Sequence, residues 1–187
     1  MKAMAKAYVA LLRGINVGGK HSVPMKLLAQ MFADAGCERV QTYIQSGNVV
    51  FAASSAVAAK IPKEICNAIR KKLGHEVPVV VRTAEQMKKV VAGNPYSKRK
   101  DFENFSHVVF FADQFSPANI RQLDPERSPG DEFHCAACEV YLWLPNGAGK
   151  TKLTSAYLDK ILASVGTQRN WRTVVKLNGM LLELDGK

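Results

Sequence analysis

VQTYIQSGNVVF, residues 40–51, decides how this chain folds. Val40 to Ile44 carries β-branched and aromatic residues, and Val49-Val50-Phe51 is a second such run. Gln45-Ser46-Gly47-Asn48 separates them with turn-forming residues, so the stretch reads as two strands around a tight turn. Upstream, Tyr8 to Leu12 is a short continuous apolar run, as expected of a buried strand. Between that strand and the hairpin, Leu27, Leu28, Met31, Phe32 and Ala35 form the apolar stripe of a helix. Pro24 suits its first turn and Gly36 ends it. Downstream, Ile61, Ile65, Ile69 and Leu73 recur every four residues, which predicts a helix closed by Gly74. Pro62 confines the secure part of that helix to start near Ile61. Val77 to Arg82 is a fourth strand. Thr83 then caps a third helix, with Gln86 in the reciprocal capping-box position, and Gly93-Asn94-Pro95 ends it.

The order of elements is β-α-β-β-α-β-α, whose first six members match a ferredoxin-like split βαβ unit. The same order returns after residues 96–105, a polar, basic segment read as a linker. Strands are predicted over His107 to Ala112, Glu132 to Cys135, Val140 to Leu144 and Gly166 to Arg169. Ser116-Pro117 opens a helix through Leu123. Leu153, Tyr157, Ile161 and Val165 mark another, and Asn170 caps a last helix in which Gly179 is a candidate interruption. The predicted fold class is α+β: two tandem ferredoxin-like βαββαβ(α) halves, with mostly antiparallel sheets and helices packed on one face. The expected division is 1–95 and 106–187.

The chain has 187 residues, 47% of them hydrophobic, enough for one compact domain or two small ones. No stretch is long enough to span a bilayer. The run from Ala7 to Leu12 is too short for a secretory signal, so a cytoplasmic location is expected. The four cysteines offer no second Cys pair to complete a zinc ribbon. Cys135 and Cys138, beside His134, fall between two strands rather than at a helix start and are read as a hairpin turn. No metal is expected, and the sequence names no cofactor.

The net charge of +10 is unevenly placed. Residues 1–93 carry 14 Lys/Arg against 5 Asp/Glu, a balance of +9, and residues 94–187 carry 12 against 11, a balance of +1. A basic first half suits an anionic partner, although Lys71, Lys72, Lys88 and Lys89 read as exposed helix faces. That half also holds Arg13-Gly-Ile-Asn-Val-Gly-Gly-Lys20, a glycine loop between a strand and a helix. Glycine lets a ligand approach backbone N–H groups closely. In a ferredoxin-like unit the end of the first strand and the turn between the second and third lie at one edge of the sheet. The loop 13–20 is therefore expected beside the turn 45–48.

The ligand-binding candidates in the first half are Arg13, Asn16, Gly18, Gly19, Lys20, Ser46 and Asn48. The same reasoning in the second half brings Asn146–Lys150 toward Arg169–Trp171, adding Lys150, Arg169 and Asn170. Gly149-Lys150-Thr151 fails the phosphate-loop spacing, which requires glycine where Leu144 stands, so only a helix N-terminus next to Lys150 remains as an anion site. His21 is the one acid–base candidate near the first loop. Ser46 lacks the context of a nucleophile elbow, and no carboxylate pair accompanies either loop.

ALLRGINVGGKHSVPM, TYIQSGNVVF and GTQRNWRTVVKL together resemble the three signatures of the bacterial family called domain of unknown function 1697, over essentially the whole chain. Arg13, Gly14, Asn16, Gly18, Gly19, Ser46, Gly47, Asn48, Arg169, Asn170 and Trp171 fall on its pattern. The resemblance implies an α+β protein with ferredoxin-like halves and supplies no substrate. Three functions stay open. One is binding of a nucleic acid or nucleotide at the glycine loops. Another is an enzyme acting on a phosphorylated or otherwise anionic small molecule. The third is a non-catalytic structural or interaction protein. Against nucleic acid, Tyr43 and Phe51 are the only aromatic residues on the second and third strands.

Overall fold

The computed structural model of the protein describes residues 5–18 and 21–186. The chain falls into two compact units. One takes in the residues up to Lys89 together with those from Lys176 on; the other runs from Val90 to Val175.

In the first unit the order is β1 (Lys6–Leu12), α1 (Met25–Asp34), β2 (Glu38–Tyr43), β3 (Asn48–Ala53), α2 (Ser55–Ala58), α3 (Ile61–Leu73), β4 (Val79–Thr83) and α4 (Ala84–Ala92), whose last residues count with the second unit. The strands form one antiparallel sheet in the order β2-β3-β1-β4, the arrangement of a ferredoxin-like unit. Strands β1 and β3 are buried almost throughout because they lie inside the sheet, which explains their lack of polar alternation. β2 is the edge. It carries Glu38 and Arg39 and an irregularity between Glu38 and Gln41, devices that discourage pairing with another chain.

Tyr8, Ala10, Leu12, Val49 and Phe51 share one face, where Leu28, Phe32, Ile61, Ile65 and Ile69 of α1 and α3 complete the core. Residues of the other face, among them Val9, Leu11, Val50, Ala52, Val80 and Arg82, are buried as well, and Asp185 accepts a hydrogen bond there from the Ala7 backbone N–H at 3.0 Å. The predicted capping box is present. Gln86 Oε1 accepts from the Thr83 N–H at 2.9 Å, and Thr83 Oγ1 from the Gln86 N–H at 3.1 Å. Gly74 ends α3 with φ of 73°, its N–H donating to Arg70 O.

The remaining elements are α5 (Phe102–Phe105), β5 (Ser106–Phe111), α6 (Pro117–Ile120), β6 (Glu132–Cys135), β7 (Glu139–Trp143), α7 (Ser155–Leu162), β8 (Gly166–Asn170) and α8 (Trp171–Asp185). Their sheet is again antiparallel, in the equivalent order β6-β7-β5-β8.

The structure corrects three details. Pro24 caps α1 in extended conformation rather than entering its first turn. Val165 lies outside α7, because the chain turns left-handed at Ala163 (φ 53°) and leaves Val165 exposed. Gly179 does not interrupt α8: the burial of Leu177, Leu181 and Leu184 outweighs the roughly 1 kcal/mol that glycine costs inside a helix. Segment 96–105 contains α5, and Asn94 beside it is buried with its Nδ2 donating to Ser106 Oγ at 3.0 Å. Arg99 grips Glu132 through two hydrogen bonds of 2.8 Å while its guanidinium lies 4.9 Å and 5.0 Å from the Tyr96 and Trp143 rings.

Gly166 starts β8 where an added Cβ would sit 2.7 Å from both Phe111 ring atoms and Val109 Cγ1, all within the core. Gly166→Ala is expected to destabilise the protein by about 1–3 kcal/mol through overpacking. Urea denaturation measures this, and an unchanged midpoint would contradict the packing described.

Candidate functional site

The loop leaving β1 meets two other segments at one edge of the first sheet. Leu11 pairs with Asn48 across the sheet, and Tyr43 pairs with Asn48 from the other side, so the turn 44–47 must lie beside the exit of β1. The Leu12 N–H donates to Gly47 O at 2.8 Å and Asn16 Nδ2 donates to Gln45 O at 2.8 Å. Gly47 has φ of 76°, and a Cβ there would come within 2.7 Å of Leu12 Cβ and 3.0 Å of Ile15, so the close approach requires glycine. The expected juxtaposition of the two loops is therefore present.

The third segment leads into β4. The Arg13 N–H donates to Pro78 O at 3.0 Å, and the imidazoles of His75 and His21 lie 5.0 Å apart, inclined at 43°. His75 was missed by sequence reasoning. The topology holds the signal: a strand antiparallel to β1 begins where β1 ends, so the residues before β4 belong to this edge.

Asn16 organises the loop. Its Nδ2 donates to Val23 O at 3.0 Å as well as to Gln45 O, and its Oδ1 accepts from the Val23 N–H at 2.8 Å. Its own N–H donates to His21 O at 3.2 Å. The amide thus holds Val23 against Asn16 and ties both to the hairpin. Asn48 is wholly buried, donating from Nδ2 to Tyr43 O at 3.1 Å and to Ser46 Oγ at 3.0 Å. Ser46 is half-buried at the base of the turn. Arg13 is half-buried where the three segments meet, and Gly18 is exposed with φ of 59°. Gly19 and Lys20 lie outside the described residues.

Backbone strain concentrates here. Asn16, His21 and Ile44 all have positive φ (55°, 49° and 46°). Asparagine adopts this conformation readily, but a β-branched residue does so at a cost of about 1–2 kcal/mol. Ile44 is also 51% exposed, and Val17 is 63% exposed on the facing loop. Strained backbone and bare apolar side chains thus occur together at this edge.

The candidates in the second half lie at the opposite end of their own sheet, at the start of the strand equivalent to β1. Ser106 pairs with Trp143 and His107 with Asn170, so the ends of β7 and β8 lie at one sheet edge, separated by β5, about 10 Å apart. Lys150 is exposed in a turn, its N–H donating to Gly147 O at 3.1 Å. No helix begins next to it: α7 starts at Ser155, and Thr154 Oγ1 caps it by accepting from the Tyr157 N–H at 3.2 Å. Asn170 is exposed and uses Oδ1 to cap α8 through the Thr173 N–H at 2.9 Å. Arg169 is buried, donating from Nη1 to Thr167 Oγ1 at 2.8 Å and Gln168 O at 2.7 Å. Burial lowers its pKa to about 10, which still leaves it charged at neutral pH. Arg82 takes the same register position in the first sheet, opposite Val9 as Arg169 is opposite Val108.

Cys135 and Cys138 flank the β6–β7 turn as thiols rather than as a disulfide, and burial pushes the Cys135 thiol up to about 11. Among the described residues no group of three or more His, Cys, Asp or Glu side chains is placed to hold a metal ion. Likewise, no helix there is long and apolar enough to cross a membrane.

Two four-stranded antiparallel sheets with this order, each with its edge loops, define an α+β protein of two ferredoxin-like halves. Residues 5–141 match the family described as Protein of unknown function (DUF1697), and the chain belongs to that family. It is similar in structure to a conserved bacterial protein from Streptococcus pneumoniae, with a TM-score of 0.69 and 22% sequence identity over 95% of this chain and 99% of the other. At that identity the likeness establishes the fold alone. A search of the curated proteins finds no match.

Ile44→Asn keeps a side chain at the turn while removing the β-branch from a left-handed position. It is expected to raise stability by about 1 kcal/mol, read as a higher melting temperature. A lower melting temperature would show that the Ile44 conformation is not strained.

Proposed function

We propose that the loop junction of the first unit binds a small anionic ligand, a phosphorylated metabolite or nucleotide rather than a nucleic acid polymer. The observation that carries the reading is the meeting of the Arg13-bearing glycine loop with the 45–48 turn, held by Asn16. Gly14 and Gly18 leave open space where a side chain would otherwise stand, and the junction lies in the half with a +9 charge balance. Arg13 supplies a guanidinium suited to two-point contact with phosphate. Burial on both faces of the first sheet speaks against the sheet-face mode by which related folds receive RNA. Phe51, one of the two aromatic candidates, lies in the core stacked on Tyr8 at 5.6 Å. In an enzymatic version of the reading, His21 and His75 are the imidazoles at hand for proton transfer.

A structural reading has its own support, because Asn16 and Asn48 spend their amides on the protein itself. Thermal-shift titration with inorganic phosphate and sugar phosphates separates the two. Binding predicts a saturable rise in melting temperature that Arg13→Ala weakens by about 10–100-fold in affinity, the loss of one charge-assisted contact. An Arg13→Ala protein with undiminished stabilisation would overturn the assignment. Asn48→Ala that loses stability, with no phosphate response in the parent protein, would favour the structural reading.

A further inference from the structure

α3 carries a basic stripe on the side turned away from the core. At 3.6 residues per turn, Lys60, Lys63, Asn67, Arg70 and Lys71 fall within an arc of about 100°. That arc lies opposite the buried Ile61, Ile65 and Ile69, and all five residues are exposed. Arg70 Nη2 donates to Asn67 Oδ1 at 3.1 Å, which keeps the guanidinium on the stripe. Among the described residues none of these four cations pairs with a carboxylate, whereas on α4 Lys89 lies 3.1 Å from Glu85. Glu64 is the one acid at the margin of the stripe.

Helix stability does not account for this placement. Arg70 and Lys71 suit the negative end of the helix, but Lys60 and Lys63 stand at its positive end, where a cation is unfavourable. Lys60 holds the cap position without a side-chain cap. Ser54, Ser116 and Thr154 fill that position with a capping oxygen in α2, α6 and α7. Lys60 and Lys63 are also neighbours of like charge, one turn apart.

We propose that this face of α3 docks on the sugar–phosphate backbone of double-stranded DNA, without reading its sequence. The surface is other than the loop junction, and the inference does not depend on the ligand there. A row of unpaired cations complements a polyanion. The stripe carries no apolar or aromatic side chain to enter a bilayer or to stack on the bases of a single strand. Its spacing favours a duplex. The Lys60–Lys63 and Arg70–Lys71 pairs are centred about 14 Å apart along the helix axis. The major groove of DNA is about 12 Å wide, so a helix lying across it can reach phosphates on both sides.

Fluorescence anisotropy of a short labelled DNA duplex, titrated with the full chain at low and at physiological salt, tests this. Affinity is expected to rise about tenfold or more as salt falls, because each neutralised phosphate releases counterions. Lys63→Gln combined with Arg70→Gln should weaken low-salt binding about tenfold and lower the slope of log affinity against log salt by about 2. Lys88→Gln combined with Lys89→Gln removes the same charge from α4 and should change affinity less than about twofold. All four positions are exposed on helices and glutamine is a good helix former, so both double variants should keep the parent melting temperature. Equal losses in the two double variants would assign binding to net charge and overturn the inference. Salt-independent affinity, or no binding at low salt, would also overturn it. Binding to vesicles of anionic phospholipid with none to the duplex would assign the face to a membrane surface instead, and would overturn it too.

Discussion

The side-chain amide of Asn16 joins what the rest of the first unit brings near. A carboxamide offers two donors and an oxygen acceptor, and here both kinds of group are spent on backbone of Val23 and Gln45. Aspartate could not supply the donors, and a shorter side chain could not reach both segments. With Asn16 at φ of 55°, the chain reverses soon after β1 and returns to start α1 at Met25. The same bond brings the 44–47 turn against the loop.

The sheet supplies the other half of the constraint. Because β1 is paired on both sides, its exit is flanked by the turn into β3 and by the lead into β4. Three chain segments remote in sequence converge there, two of them through backbone hydrogen bonds to Leu12 and Arg13. Rigid strands thus carry the edge, and the strained residues sit in the short connections. This is the usual division between a scaffold and the loops that recognise a ligand.

Much of this was readable beforehand because the signals are local. The alternation of apolar runs with Gly, Pro and Asn punctuation gave the strand and helix order of both halves, and Thr83 with Gln86 announced a capping box that is present. Topology alone then placed 13–20 beside 45–48. What was illegible depends on tertiary forces. Nothing near Ile44 signals a left-handed backbone, which the hairpin imposes against the preference of isoleucine. The fourfold spacing through Val165 looked helical, yet α7 stops at Ala163. The contacts of Arg99 with Glu132 and Trp143 were illegible because those partners lie more than thirty positions away. Nor does the sequence reveal that the Arg169 side chain is buried against Thr167 and Gln168.

The central claim is that the junction around Arg13 receives an anion and that the 146–150 turn of the other unit does not. Backbone amide chemical shifts during a titration with inorganic phosphate test it residue by residue. The account predicts saturable shifts at Arg13, Gly14, Gly18 and the 44–48 turn, with Gly147, Gly149 and Lys150 unmoved. Shifts confined to 146–150, or none at Gly14 and Gly18 at saturating phosphate, would contradict it.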